Sequence, residues 1–187
     1  MVFRLGGELV AFGDRPQPKT VVGSVEFRNQ ARLYGAEVNL RWEMARWGWG
    51  HLDMLAGARF MQLDESLEIV AITGGTRDAD NFGTHNQFWG GQVGLEGEVN
   101  WKRYFLNGYA KLAAGDIIQT VNIYGQTQTG NALALGGFLA RPTNIGRYQR
   151  DTFGLLPEAG ANVGMKLTDN VRVFGGYNIF YLMDVVR

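Results

Sequence analysis

The charged residues Glu37, Arg41, Glu43, Asp53, Arg59, Glu96, Glu98, Lys111, Glu158, Lys166 and Arg172 each sit in a run where polar and apolar residues alternate one for one. A period of two marks an extended strand, so each charge belongs to one face of a strand whose other face is oily. Charges of both signs gathered on one face of a sheet turned away from bulk solvent need either water or each other. Two chemistries follow. One is a hydrated passage with mixed-charge walls and little ion bias. The other is a cross-braced interior that conducts nothing, with Arg41 near Asp53 or Glu37 near Arg59 according to register. Neither sign dominates, which argues against a strongly selective anion or cation channel.

Other site chemistries find little support. The two serines, Ser24 and Ser66, and the two histidines, His51 and His85, carry no nucleophile motif, and His51 falls at the opposite strand end from both serines. Asp78, Asp80 and Asn81 offer oxygens, but the spacing lacks the later glutamate of a calcium loop, so they read as a solvated loop. Gly74-Gly75 and Gly136-Gly137 are not followed by the Lys-Ser or Lys-Thr of a phosphate cradle. There is no cysteine, which excludes disulfides and thiolate zinc sites. Lys plus Arg number 18 against 18 Asp plus Glu, leaving no drive toward nucleic acid. The sequence therefore predicts no enzyme, no metal and no cofactor.

The elements that position the charges are strands. In Leu33–Phe60 the first arm places Tyr34, Ala36, Val38, Leu40, Trp42 and Met44 on the oily face. After a turn at Trp47-Gly48-Trp49-Gly50, the second arm places Leu52, Met54, Ala56, Ala58 and Phe60 there. A third strand runs from Trp89 to Trp101, turns at Lys102-Arg103, and returns as a fourth through Leu106, Leu112 and Ala114. A fifth carries Phe153 to Leu167, turns at Thr168-Asp169-Asn170, and returns as a sixth from Val171 to Tyr181. Residues 1–32 read mostly as loop, with Arg15-Pro16-Gln17-Pro18 as its clearest breaker, and long loops are predicted at Ala71 to His85 and Gln126 to Tyr148. The fold class is all-β: an antiparallel up-and-down meander forming part or all of a transmembrane β-barrel, one domain over 1–187, of six to eight strands. Six strands fall short of the roughly eight of a small membrane barrel, so an open or incompletely closed wall is expected.

Alternation alone also suits a soluble barrel with its oily face inward. Two features favour lipid outside. Short connections alternate with long ones, which puts all short turns at one end, as in outer-membrane barrels. Trp42, Trp47, Trp49, Trp101 and Tyr104 gather at the short-turn end, and Tyr34, Phe60, Trp89, Phe153 and Tyr181 toward the other, as two interfacial belts. Val38, Leu40, Trp42, Val93, Leu95, Leu112, Val163 and Val173 are then expected to point outward. No run of about eighteen apolar residues exists, so a membrane-crossing helix is excluded; mean hydropathy is −0.14. No signal peptide is visible after Met1, so an exported barrel would be a mature form or a fragment.

The blocks LYGAEVNLRW, HLDMLAGARFMQLDESLEI, NQFWGGQVGLEGE, LARPTNIGRYQRDTFGLLPE and LTDNVRVFGGYNIFYLMDVVR, with the earlier GELVAFG, resemble consecutive stretches of the putative beta-barrel porin family numbered seven in its series. The resemblance runs over most of the chain. It implies a barrel in the outer membrane of a Gram-negative-type envelope, with lipid around it and small polar solutes diffusing passively through it, and it carries over no catalytic residue. Members of that family are longer at both ends, so this chain is expected to be an internal segment lacking part of the barrel. Two other functions fit the same residues: a non-conducting surface scaffold or adhesion barrel acting through its long loops, and a soluble β-barrel binding protein. Oligomeric state is not encoded in any feature of the sequence.

Overall fold

The computed structural model describes residues 2–10, 20–168 and 170–187, with side chains described from Gly23 onward. The predicted breaker Arg15-Pro16-Gln17-Pro18, and Asp169 of the last predicted turn, lie outside the described residues.

The strands are β1 (Val2–Val10), β2 (Thr20–Trp47), β3 (Gly50–Thr73), β4 (Thr76–Trp101), β5 (Tyr104–Thr129), β6 (Ala132–Leu135), β7 (Gly146–Lys166) and β8 (Arg172–Phe180). They form one antiparallel sheet in the order β1-β2-β3-β4-β5-β7-β8, with β6 a short hairpin on the far end of β5. Each strand pairs with its predecessor or with the next strand of the meander, so the all-β up-and-down architecture is as the alternation predicts. There is no second sheet and no helix among the described residues.

The strands are much longer than the alternation implies. The stretch Ala71 to His85, predicted as a loop, is the upper part of the β3–β4 hairpin, paired from Thr73↔Thr76 downward. Its turn is Gly74-Gly75, both with positive φ (58° and 87°), the backbone of a tight hairpin turn that side-chain-bearing residues resist. The second predicted loop, Gln126 to Tyr148, shrinks to residues 136–145, because β5 runs on to Thr129, β6 follows, and β7 starts at Gly146. Thr20–Arg32, read as loop, is strand within β2, and Val2–Val10 pairs with its upper end. The lower turns fall at Gly48-Trp49 and Lys102-Arg103, where Lys102 takes φ 55°.

The sheet is strongly curved, and its glycines report the direction. A Cβ on Gly94 would lie 2.6 Å from the Ala110 carbonyl oxygen, and one on Gly35 2.9 Å from that of Phe60. Gly91, Gly97, Gly108 and Gly175, on the other face, would meet nothing closer than 3.4 Å. The crowded face is the concave one, which is why glycine recurs among the charges.

On the convex face a continuous band contains only apolar, aromatic, glycine and proline residues. It spans Tyr34 to Met44 on β2, Leu52 to Phe60 on β3, Trp89 to Trp101 on β4, Tyr104 to Ala114 on β5, Phe153 to Leu167 on β7, and Val171 to Tyr181 beyond and through β8. Val38 is 74% exposed there, and Leu40, Trp42, Val93, Leu95, Leu112, Val163 and Val173 are all exposed. About ten residues at ~3.3 Å each, tilted by ~40°, make a band roughly 25 Å tall. Above it the same face turns polar at Gln62, Asp64, His85, Gln87, Asp116 and Asp151. Burial alone would raise the Asp64 carboxyl. Hydrogen bonds from Tyr34 (2.6 Å), Gln62 (2.9 Å) and His85 outweigh it and hold Asp64 below the ordinary value.

β1 covers β2 only down to Arg28, and β8 has no partner on its outer side, so the sheet has two free edges. They face one another: Phe180 of β8 and Leu33 to Glu37 of β2 line a shared cleft of about 270 Å³.

Candidate functional site

The concave face holds the charged residues because register puts them there. Glu37 pairs with Arg59 across β2 and β3, and Lys111 with Glu158 across β5 and β7. Curvature then joins the two pairs. Lys111 Nζ lies 2.8 Å from Glu37 Oε1 and 3.3 Å from Glu158 Oε1, and Arg59 Nη1 lies 3.1 Å from Glu37 Oε2 while also contacting Glu158. Two cations and two carboxylates thus close a square. A second group joins Arg41 to Asp53 (3.4 Å) and to Glu96, and a third joins Arg172 to Glu98 through two bonds of 3.0 and 3.2 Å.

Glu37–Lys111 links β2 to β5, Arg59–Glu158 links β3 to β7, and Glu98–Arg172 links β4 to β8. In each case two strands intervene, a separation of about 14 Å in a flat sheet. Such contacts form only where the sheet has rolled far enough for strands three apart to face each other. Neutral polar groups complete the network: Gln92 donates to Glu37 (3.0 Å) and Asn39 (2.6 Å), Asn107 to Glu96 (3.0 Å), and Tyr109 to Glu158 (2.9 Å). The resulting polar cavity, about 430 Å³, is lined by Glu37, Arg41, Glu96, Tyr109, Lys111 and Glu158 among others.

Of the charges singled out in the sequence, nine enter these three groups. Glu43 instead pairs with Arg46 at the exposed rim, with Arg46 Nε 2.8 Å away. Lys166 joins none of the three and lines a separate cavity of about 440 Å³ with Lys102, Arg103 and Arg172 at the short-turn end. Tyr109, Gln92 and Asn107 escape a search for charges, although the period-two rule assigns them to the same face. Leu55 and Phe105 also point inward, and the Arg172 guanidinium sits 4.6 Å over the Phe105 ring.

Above the charged zone the concave face turns apolar. Met61, Phe88, Ala113, Ile117 and Leu156 are buried together, and Leu182 and Val185 pack onto them from a segment that leaves β8 and crosses the concave side. Asn86 clasps that segment through two bonds to Val186 (2.8 and 2.9 Å), Gln119 donates to the Asp184 carbonyl, and Arg187 reaches Glu65 (3.5 Å). Higher still, Asp80 is 1% exposed. This corrects its reading as part of a solvated loop: it is an inward-facing strand residue whose carboxylate accepts from Leu139 N (2.8 Å) and Ala140 N (3.1 Å). Asp78 accepts from Thr127, and Asn81 lies exposed on the opposite face. His85 contacts Asp64 on the convex side, and His51 lies 3.7 Å from Asp53. Among the described residues, no three His, Asp or Glu side chains converge as metal ligands.

A single rolled meander with an apolar convex band and a charge-paired concave face is the wall of a β-barrel. The chain belongs to the family described as Putative beta barrel porin-7 (BBP7), whose model matches residues 6–187. No curated protein matches the chain.

Proposed function

We propose that this chain is the wall of an outer-membrane porin that lets small polar solutes diffuse passively, with the convex band against lipid and the charged concave face toward the solute path. The observation that carries the reading is the band itself. A surface that exposes Val38, Leu40, Val93 and Leu95 without one polar side chain is costly in water and suited to hydrocarbon, and its height matches the apolar zone of an outer-membrane barrel. Family membership supports the same reading. The edges of β8 and the lower half of β2 carry unpaired backbone groups, which in hydrocarbon require strand partners.

A solute passing the concave face meets carboxylates already matched by Arg41, Arg59, Lys111 and Arg172, so ions of neither sign are strongly preferred. The test is conductance of the full-length protein in planar bilayers, alongside a variant with Arg41→Glu and Arg59→Glu. Ohmic conductance whose preference moves toward cations in the variant supports the pore. A folded, inserted protein with no conductance supports a second reading, which the ion pairs across the concave side favour: a non-conducting scaffold acting through the hairpins above the band.

A further inference from the structure

We propose that Lys102, Arg103, Lys166 and Arg172 form a binding site for a phosphate group at the short-turn rim of the wall. Three adjacent strand ends build it. Lys166 N donates to Arg103 O (2.7 Å), one rung beyond the Tyr104↔Met165 pair of β5 and β7, and Lys166 itself pairs with Arg172 across β7 and β8. Arg103, Lys166 and Arg172 therefore follow one another across neighbouring chain segments spaced about 4.8 Å apart. Lys102, with φ 55° in the turn between β4 and β5, adds a fourth cation. All four line one cavity of about 440 Å³, together with Leu167 and Thr168.

This arrangement departs from the rest of the concave face. There the cations meet carboxylates: Arg59 and Lys111 meet Glu37 and Glu158, and Arg41 meets Asp53 and Glu96. Here Lys166 and Arg172 stand directly opposite each other on paired strands, a like-charge juxtaposition that is destabilising. Arg172 is matched by Glu98, whereas Lys102, Arg103 and Lys166 form no ion pair among the described residues. Even with the sequence neighbour Asp169 counted against them, four positive charges meet two negative ones. A local arrangement that costs stability is expected where a site makes use of it.

The lining suits a phosphate group. Its tetrahedral oxygens accept from several directions at once, Arg103 can offer a two-pronged fork, and Lys102 and Lys166 act as compact point charges. Thr168 Oγ1 accepts from Asn170 N (3.3 Å), which leaves the hydroxyl proton to donate to a further oxygen. Two sources of that group fit the position. Leu167 in the lining and the exposed Trp101 and Tyr104 beside the turn place the site at the level of lipid headgroups, where an anionic phospholipid supplies the phosphate. Lys166 and Arg172, on the concave face, equally open it to a phosphate-bearing solute. The site itself does not depend on the porin reading; only its lipid source does.

The test compares the full chain with a Lys102→Gln, Arg103→Gln, Lys166→Gln triple variant in two arms at fixed ionic strength. In the first, inorganic pyrophosphate is titrated calorimetrically into protein refolded in uncharged detergent. In the second, the urea unfolding midpoint is measured in phosphatidylcholine vesicles with and without added phosphatidylglycerol, since a ligand that binds the folded state raises the midpoint. The triple variant is expected to bind pyrophosphate at least about tenfold more weakly, or to lose the midpoint rise that phosphatidylglycerol gives the parent. Loss in the first arm identifies a soluble phosphate, and loss in the second alone identifies a lipid headgroup. Arg103→Lys with Lys166→Arg keeps the charges and should keep most of either effect. Arg103→Gln alone, at an exposed turn, carries the comparison if the triple variant does not fold. No pyrophosphate binding and no midpoint rise in the parent, or equal effects in parent and variant, overturn the site. A chain that folds in detergent but does not insert into vesicles refutes the porin reading and leaves the pyrophosphate arm to decide the site.

Discussion

Replacing Arg59 with methionine removes the guanidinium that joins Glu37 to Glu158 while keeping most of the side-chain volume. The Arg59 side chain is 11% exposed and that of Glu158 5%, so the pair is shielded on both sides. Without Arg59, two carboxylates share the single ammonium of Lys111, and one negative charge stays unbalanced in a poorly hydrated place. Removing one partner of a buried ion pair costs about 3–5 kcal/mol when the other is stranded. Glu158 is not fully stranded, since Tyr109 (2.9 Å) and Lys111 (3.3 Å) remain, and Glu37 keeps Gln92 and Lys111. The expected loss is therefore at the lower end, about 2–3 kcal/mol. Adding Glu158→Gln removes the surplus charge, and the double variant should recover to within about 1 kcal/mol of the parent, a coupling that additive sites do not show. Urea unfolding of the refolded protein in lipid or detergent, followed by tryptophan fluorescence, measures all three. An Arg59→Met protein within about 0.5 kcal/mol of the parent, or a double variant whose losses simply add, would refute the argument that curvature brings these strands face to face.

The band makes a depth-dependent prediction: Leu95→Arg, near its middle, should cost about 2–4 kcal/mol, whereas Asn81→Arg, on the same face of β4 above it, should stay within about 0.5 kcal/mol, both read as unfolding free energies in lipid. Gly94→Val should lower stability by about 1–3 kcal/mol because its Cβ meets the Ala110 carbonyl, while Gly175→Val on the open convex face should cost less than half as much in the same unfolding assay. Asp64 has a depressed folded pKa, so its contribution is complete above the unfolded value of about 3.9 and is lost as pH falls through the lower folded value. Asp64→Asn should therefore flatten the fall in unfolding midpoint below about pH 4, and an unchanged slope would show that the cluster with Tyr34, Gln62 and His85 does not form.

What the residues announce and what they hide divide along the height of the barrel. Within the band, Val38, Leu40 and Trp42 against Glu37, Asn39 and Arg41 give a contrast that only a strand with two unlike faces produces, and β2 to β5 and β7 follow from it. Above the band the contrast fades, because the convex face carries Gln62, Asp64 and His85 while the concave face gains Phe88, Ile117 and Leu156. Polar composition then reads as loop where the backbone is still paired, although Gly74-Gly75 flanked by threonines was an available hairpin signal. The hairpin register Glu37↔Arg59 was one of two open choices in the sequence, and the structure uses it together with the Arg41–Asp53 diagonal. The links from Lys111 to Glu37 and from Arg172 to Glu98 had no local signature, since they depend on how far the whole sheet rolls. Asp80 was obscured for the same reason: its amide partners at Leu139 and Ala140 are distant in sequence and come to it only through the turn after β6.

The central claim is that the convex face meets lipid and the charged face does not. Nitroxide labels placed singly at Val38, Asn39, Leu40, Arg41, Val93, Gly94 and Leu95 in the refolded, lipid-embedded protein test it through collision with oxygen, which concentrates in hydrocarbon, and with a water-soluble nickel complex. The account predicts strong oxygen collision at 38, 40, 93 and 95 and weak oxygen collision at 39, 41 and 94, a period of two in step with the pleat. Nickel accessibility at 38, 40, 93 and 95, or oxygen accessibility that peaks at 39, 41 and 94, would contradict it.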